Sequence, residues 1–281
     1  MTADGGLRLE CDGPVATVTL DRPNVLNAQT PAMWRALRAF SRDLPGDVRV
    51  VVVRGEGRAF SSGLDLTAVG ALPGRGAPAA GAGAGASGAD ALRTDGESLP
   101  ADSFADLVRL PAEQCADRIG EFQEAFTWLH RPDLISIAAV QGHAIGAGFQ
   151  LALACDLRVV ADDAQFAMAE VTLGLVPDLG GTKRLVDLVG YSRALEICVT
   201  GRRLDAYEAE RLGLANIVVP RRELDAATRD LTAAILASDR DAVIEIKALL
   251  AGAAGRSCRE QLRAEREAQT RRLRDLAGLG E

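Results

Sequence analysis

Residues 49–55 of this 281-residue chain read RVVVVRG, and the four successive valines constrain its fold more than any other stretch. Branched side chains favour extended backbone. An unbroken apolar run, in place of alternation, describes a strand buried on both faces, as in a parallel sheet layered by helices. LISIAAV at 134–140 is a second run of this kind, and it follows a segment with Ile119, Phe122, Phe126 and Leu129 on one helical side that stops at Pro132. Upstream, LRLEC and VATVTL flank Asp12-Gly13-Pro14 and predict a hairpin. Thr30 and Pro31 predict the N-cap and first residue of a helix carrying Met33, Trp34, Leu37, Phe40 and Leu44. Beyond residue 180 the pattern is mainly helical, with helices predicted at 221–238, 239–253 and 256–276 and one remaining strand in NIVV at 216–219. The implied class is α/β.

Several function classes are disfavoured. A net charge of −7 argues against nucleic acid as the main partner. The five cysteines are scattered without a C-x-x-C pair and read as reduced thiols, and the two histidines, His130 and His143, form no metal motif, so no metal is expected. The first residues lack the basic start and apolar core of a secretion signal. The most apolar stretch, 137–155, is broken by Gln141, His143, Gln150 and several glycines, which excludes a bilayer span and leaves a cytoplasmic expectation. Residues 70–100 are rich in Gly, Ala and Pro and read as a flexible insertion. It contains GAGASG at 83–88, formally G-x-G-x-x-G, but no strand precedes it and no helix clearly follows, so a nucleotide-dependent enzyme is a poor reading.

Two segments are suited to presenting backbone N–H groups. GEGRAFSSGLDL (55–66) follows the valine strand, and GHAIGAGF (142–149) follows the second strand and leads into a helix. A glycine-rich turn at a helix N-terminus offers unpaired donors and the positive end of a dipole, which suits an anion or a developing oxyanion. The bland alternative is that these glycines merely permit tight turns and close packing.

The chain resembles the crotonase superfamily, the enoyl-CoA hydratase/isomerase family, in DRPNVLNA (21–28), in GEGRAFSSGLDL, in the stretch from Ala138 to Gly190, and in TGRRLDAYEAERLGLAN (200–216). The resemblance implies a spiral of repeated ββα units over 1–200, a C-terminal helical oligomerisation region over 201–281, and assembly as a homotrimer or dimer of trimers. It also implies an acyl-CoA thioester substrate, with coenzyme A as part of the substrate and no separate cofactor. By position, the backbone N–H groups of Leu64 and Ala147 would form an oxyanion hole. Ser62, Gly63, Asp65 and Gly146 would flank the substrate there, and Arg22 and Lys247 would meet the CoA phosphates.

The carboxylates then decide the reaction. The family's hydratases hold water between two glutamates, and the corresponding positions here are Gln150 and Glu170. An amide can orient water but cannot exchange a proton as a carboxyl group does. Glu170, in AMAEVTLG, falls where the family carries its acid/base. Asp178, in LGLVPDLGG, matches an aspartate of the family's dienoyl-CoA isomerases, or alternatively caps the helix that begins near Gly180. One well-placed carboxylate favours double-bond isomerisation of an enoyl-CoA by proton shuttling. Hydration of a trans-2-enoyl-CoA and a non-catalytic acyl-CoA-binding role remain as alternatives. His143 has no evident partner for catalysis, and Cys155 reads as a core residue.

Overall fold

The computed structural model describes residues 2–3, 5–67 and 107–280. The predicted insertion at 70–100, with its GAGASG motif, lies outside the described residues. A seven-stranded sheet has the spatial order β1 (Thr2–Ala3), β2 (Leu7–Asp12), β3 (Val15–Leu20), β4 (Val50–Gly55), β5 (Ile135–Val140), β7 (Leu157–Ala161) and β10 (Ile217–Val219). Its first two pairings are antiparallel and the rest parallel.

The valine run shows why two layers form. Val51 and Val53 belong to one buried cluster, Val50 and Val52 to another on the opposite face, and β5 divides likewise into Ala138 and Val140 against Ile137 and Ala139. The first face is covered by α1 (Pro31–Asp43), α2 (Ala112–Thr127) and α3 (Ala147–Ala154). The second is covered by α7 (Leu224–Leu236) through Leu224, Ala227, Leu231 and Ile235. Each valine so buried contributes about 1.5 kcal/mol or more, which neither face would supply in water. Helix α1 starts as its sequence predicts: the Thr30 hydroxyl accepts from Met33 N at 3.3 Å and Pro31 occupies the first turn.

A second, three-stranded sheet joins β6 (His143–Ile145), β8 (Gln165–Ala167) and β9 (Leu204–Asp205). The division expected at residue 200 is crossed by both sheets, because β9 and β10 lie beyond it and pair with β8 and β7. Between β8 and β9 run α4 (Gly181–Val189) and α5 (Tyr191–Thr200), and between β9 and β10 runs α6 (Ala206–Arg211). The predicted C-terminal helices are α7, α8 (Arg240–Ala253) and α9 (Cys258–Leu276), the last opened by a reciprocal Ser257–Glu260 cap. Among the described residues no helix is long and apolar enough to cross a membrane.

Candidate active site

The turns after β4 and β5 are stitched together. Ser61 N donates to His143 O at 2.7 Å and Ile145 N donates to Ser61 O at 3.0 Å, an isolated parallel bridge between the two loops. Two glycines permit that approach. A Cβ on Gly63, whose φ is +92°, would stand 2.6 Å from Ile145 O, and a Cβ on Gly148 would stand 2.6 Å from Ser61 O. Within this stitched pair the N–H groups of Leu64 and Ala147 have no acceptor among the described residues. Ala147 is the first residue of α3, where the unpaired donors and the positive dipole end coincide.

The short second sheet brings a carboxylate to the same place. Ile145 of β6 pairs with Ala167 of β8, and Gly146 N donates to Ala167 O at 2.8 Å, so the chain leaving β8 delivers Glu170 directly over the Gly146 turn. A Cβ on Gly146 would lie only 3.3 Å from Glu170 Oε1.

Gln150 is buried on α3, and its amide has one permitted orientation. Oε1 accepts from Leu179 N at 2.9 Å and Gly181 N at 3.2 Å, both pure donors, which leaves Nε2 to donate to Glu170 Oε1 at 2.7 Å. The carbonyl end of Gln150 is therefore fully engaged by backbone and is not open to water. Glu170 Oε2 is buried without a hydrogen-bond partner. Burial pushes the Glu170 carboxyl above its usual pKa, the neighbouring Asp178 adds to this, and the Gln150 amide opposes it. Burial raises Asp178 likewise. Asp178 is not a helix cap: α4 is preceded by Gly180 with no side-chain cap, because the chain enters the helix through a left-handed glycine. The backbone carbonyl of Asp178 accepts instead from Gln123 Nε2 at 2.7 Å.

These groups share a cavity of about 420 Å³. Ser62, Gly63, Leu64, Gly146, Ala147, Gln150, Glu170 and Asp178 all line it, while Trp34, Ile119, Leu173 and Val176 give it a mainly apolar wall. Three predicted contacts are not brought there. Arg22 and Asp65 pair with each other at 2.8 Å, and Arg22 also donates to Ala28 O, so the two staple the 22–28 turn to the 61–67 loop. Burial opposes ionisation of Asp65, but hydrogen bonds from Thr67 and Arg22 more than offset it and hold the carboxyl below its usual range. Lys247 donates to Asp156 and to Leu134 O, both at 2.7 Å, and does not line the cavity. Cys155 is a buried core residue, its thiol pushed up to about 12 chiefly by burial. His143 lies outside the cavity lining.

Sequence reading missed Gln29 and took Trp34 only as a core residue. A lone buried glutamine before a helix cap carries no pattern, and only the register between loops reveals what it touches.

A sequence profile described as enoyl-CoA hydratase/isomerase matches residues 10–78 and 104–275. A Thermobifida fusca protein assigned as an enoyl-CoA hydratase, solved in complex with CoA, is 44% identical, with 99% of this chain and 98% of that chain covered at a TM-score of 0.83. Its complex with acetoacetyl-CoA matches at 45% identity, covering 98% of each chain, with a TM-score of 0.82. The carnitinyl-CoA dehydratase of Salmonella typhi is 36% identical over 249 residues, 86% of this chain and 78% of the relative. A Mycobacterium tuberculosis protein assigned as an enoyl-CoA hydratase is 30% identical over 218 residues, 77% of this chain and 69% of the relative.

Proposed function

The chain belongs to the enoyl-CoA hydratase/isomerase family and is an enzyme of it, and we propose that within this family it moves the double bond of an enoyl-CoA. The thioester oxygen is received by the N–H groups of Leu64 and Ala147, which have no acceptor among the described residues and belong to residues that line the cavity. Negative charge builds on that oxygen when a proton leaves the adjacent carbon, and fixed donors in a dry cavity stabilise it by about 3 kcal/mol each. Glu170 takes the proton from C2 of a 3-enoyl-CoA on its unpartnered Oε2. The electron pair passes into the dienolate, and Glu170 returns the proton to C4, so that composition is unchanged and the double bond lies between C2 and C3. Coenzyme A enters as part of the substrate. Asp178, the second carboxylate of the cavity, raises the proton affinity of Glu170 and extends the reach of proton transfer along a conjugated chain.

The observation that carries this reading is the engagement of Gln150. One of the two positions that hold water in the family's hydratases is an amide whose oxygen is taken by Leu179 N and Gly181 N. Hydration is the second reading, favoured by Asp178 facing the cavity and by the relatives' names. Assembly as a homotrimer or dimer of trimers belongs to the same proposal, supported by the exposed apolar Tyr191, Leu195 and Val199 on α5.

The test is to incubate the purified protein separately with medium-chain 3-enoyl-CoA and trans-2-enoyl-CoA and to follow products by mass and retention. Isomerisation gives a retention shift of the 3-enoyl substrate at unchanged mass, abolished by Glu170→Gln. Gain of one water from the 2-enoyl substrate without isomerisation would overturn the proposal in favour of a hydratase, and silence on both would favour an acyl-CoA-binding protein.

A further inference from the structure

Between Gly63 and Asp65 the Leu64 N–H has no acceptor among the described residues, while the peptide groups on either side of it are held. Gln29 N donates to Gly63 O at 2.7 Å and Asp65 N donates to Gln29 O at 2.8 Å, which brackets the Leu64 peptide from both sides. Gly63 N donates to the Ser61 hydroxyl at 3.2 Å. That hydroxyl also accepts from Gln29 Nε2 at 3.1 Å and donates to Asn27 O at 2.8 Å, so its one proton and both lone pairs are used. The Gln29 amide is oriented in turn by Trp34, whose Nε1 donates to Oε1 at 2.8 Å. An indole N–H can only donate, so it fixes which end of the amide meets Ser61. Trp34 Nε1, the Gln29 side chain, Ser61 Oγ and Gly63 N form a single buried chain with one proton arrangement, and the Trp34 ring at its far end is cavity wall.

We propose that the Trp34–Gln29–Ser61 chain is a positioning device that aims the Leu64 N–H at the substrate carbonyl and couples that aim to the wall touched by the acyl group. The inference rests on the oxyanion reading of Leu64 given above. Without the Trp34 donor the Gln29 amide has two orientations of similar energy, Ser61 can turn its proton toward Gln29, and the bracket around Leu64 loosens. A donor misplaced by a fraction of an ångström loses contact selectively with the charged transition state, because hydrogen-bond strength to an oxyanion depends steeply on geometry. The signature is a fall in kcat with KM almost unchanged. An acyl group that displaces the Trp34 ring has the same effect, which makes the residue a determinant of acyl specificity as well as a wall.

The experiment compares wild type with Trp34→Phe, which keeps most of the ring volume, and with Gln29→Met, which keeps the chain length without the amide. The probe is trans-cinnamoyl-CoA, whose ultraviolet band moves to longer wavelength when its thioester carbonyl is polarised. Wild type gives a red-shifted band. Both variants lose most of that shift while binding the probe within about twofold of wild type, and kcat on the 3-enoyl substrate falls about tenfold, the scale expected of sub-ångström misplacement. Variants that keep the wild-type shift and kcat overturn the proposal. Absence of any shift in wild type instead overturns the oxyanion reading itself, so the two failures are distinguishable. Ser61→Ala repeats the test if Gln29→Met fails to fold.

Discussion

The two ends of the cavity are built by opposite means. At one end the groups proposed to meet the substrate are peptide N–H donors, held by backbone pairing, by glycines that admit a close approach, and by the partly buried Arg22–Asp65 pair. Nothing there need change ionisation during turnover. At the other end Gln150, Glu170 and Asp178 are side chains, and the tuning comes from burial and from one amide of fixed orientation. The first end is stable because its charges are paired. The second pays for its reactivity with a partly desolvated carboxylate whose Oε2 has no partner. On the proposed reading, in which the cavity both holds an oxyanion and carries a proton, the two tasks are separated in this way: fixed dipoles need no pKa tuning, and a proton carrier cannot be fully satisfied in its resting state.

The sharpest way to break that division is to remove the working group from each end. Glu170→Gln keeps the shape and the bond from Gln150 but leaves no proton acceptor, and turnover should fall about a thousandfold, as expected for loss of a general base. Ala147→Pro is the matching change at the backbone end. Proline suits the first residue of a helix and deletes only the N–H, so the fold should persist while kcat falls about a hundredfold, the typical effect of one lost oxyanion donor. Steady-state kinetics with thermal melts of both variants checks the pair. Equal losses in both, accompanied by unfolding of Ala147→Pro, would show that the ends are not separable.

The difference between the ends also governs how much of each was legible in the sequence. The valine run, the Thr30-Pro31 helix start and the glycine turns are local signals, and each lies where its spacing predicts. Glu170 was placed only through family resemblance, because its position depends on the pairing of two three-residue strands, β6 and β8, too short to leave a periodic trace. The same limit hid Gln29. Arg22 and Lys247 were expected to meet the CoA phosphates and Asp65 to flank the substrate; in this chain Arg22 pairs with Asp65 and Lys247 with Asp156. Sequence gives the presence of a charge, and only packing tells whether an opposite charge already neutralises it.

A smaller effect tests whether Gln150 decides the reaction. In Gln150→Glu one carboxylate oxygen inherits the bonds from Leu179 N and Gly181 N, and the other faces Glu170 Oε1. Two carboxylates at that separation share a proton, and the apparent pKa of the pair rises above that of Glu170 alone. Isomerisation should fall about tenfold at neutral pH, its acid limb should move to higher pH, and hydration of a trans-2-enoyl-CoA should rise above the wild-type level, on the scale of general acid–base contributions. Product analysis across pH checks this. If the variant gains no hydration, the amide at residue 150 is not what separates the two reactions.

The smallest effect is on stability, and its sign differs between the ends. Glu170 and Asp178 have folded-state pKa values raised above their ordinary ones, burial being the main cause. Their contribution to stability is fully present below the unfolded pKa of about 4 and is lost as pH rises through the folded value, so at neutral pH each ionised carboxylate weakens the fold. Asp65 has the reverse shift: its hydrogen bonds and ion pair stabilise the carboxylate above the unfolded pKa, and that contribution is lost as pH falls through the folded one. Glu170→Gln and Asp178→Asn should therefore melt above wild type at pH 7, with the gain shrinking as pH falls toward about 4, whereas Asp65→Asn should melt below wild type at pH 7 and approach it in acid. Thermal midpoints of the three variants between neutral and acidic pH make the measurement. A gain on removing Asp65, or a loss on removing Glu170, would mean that the paired end and the desolvated end do not differ as their geometry requires.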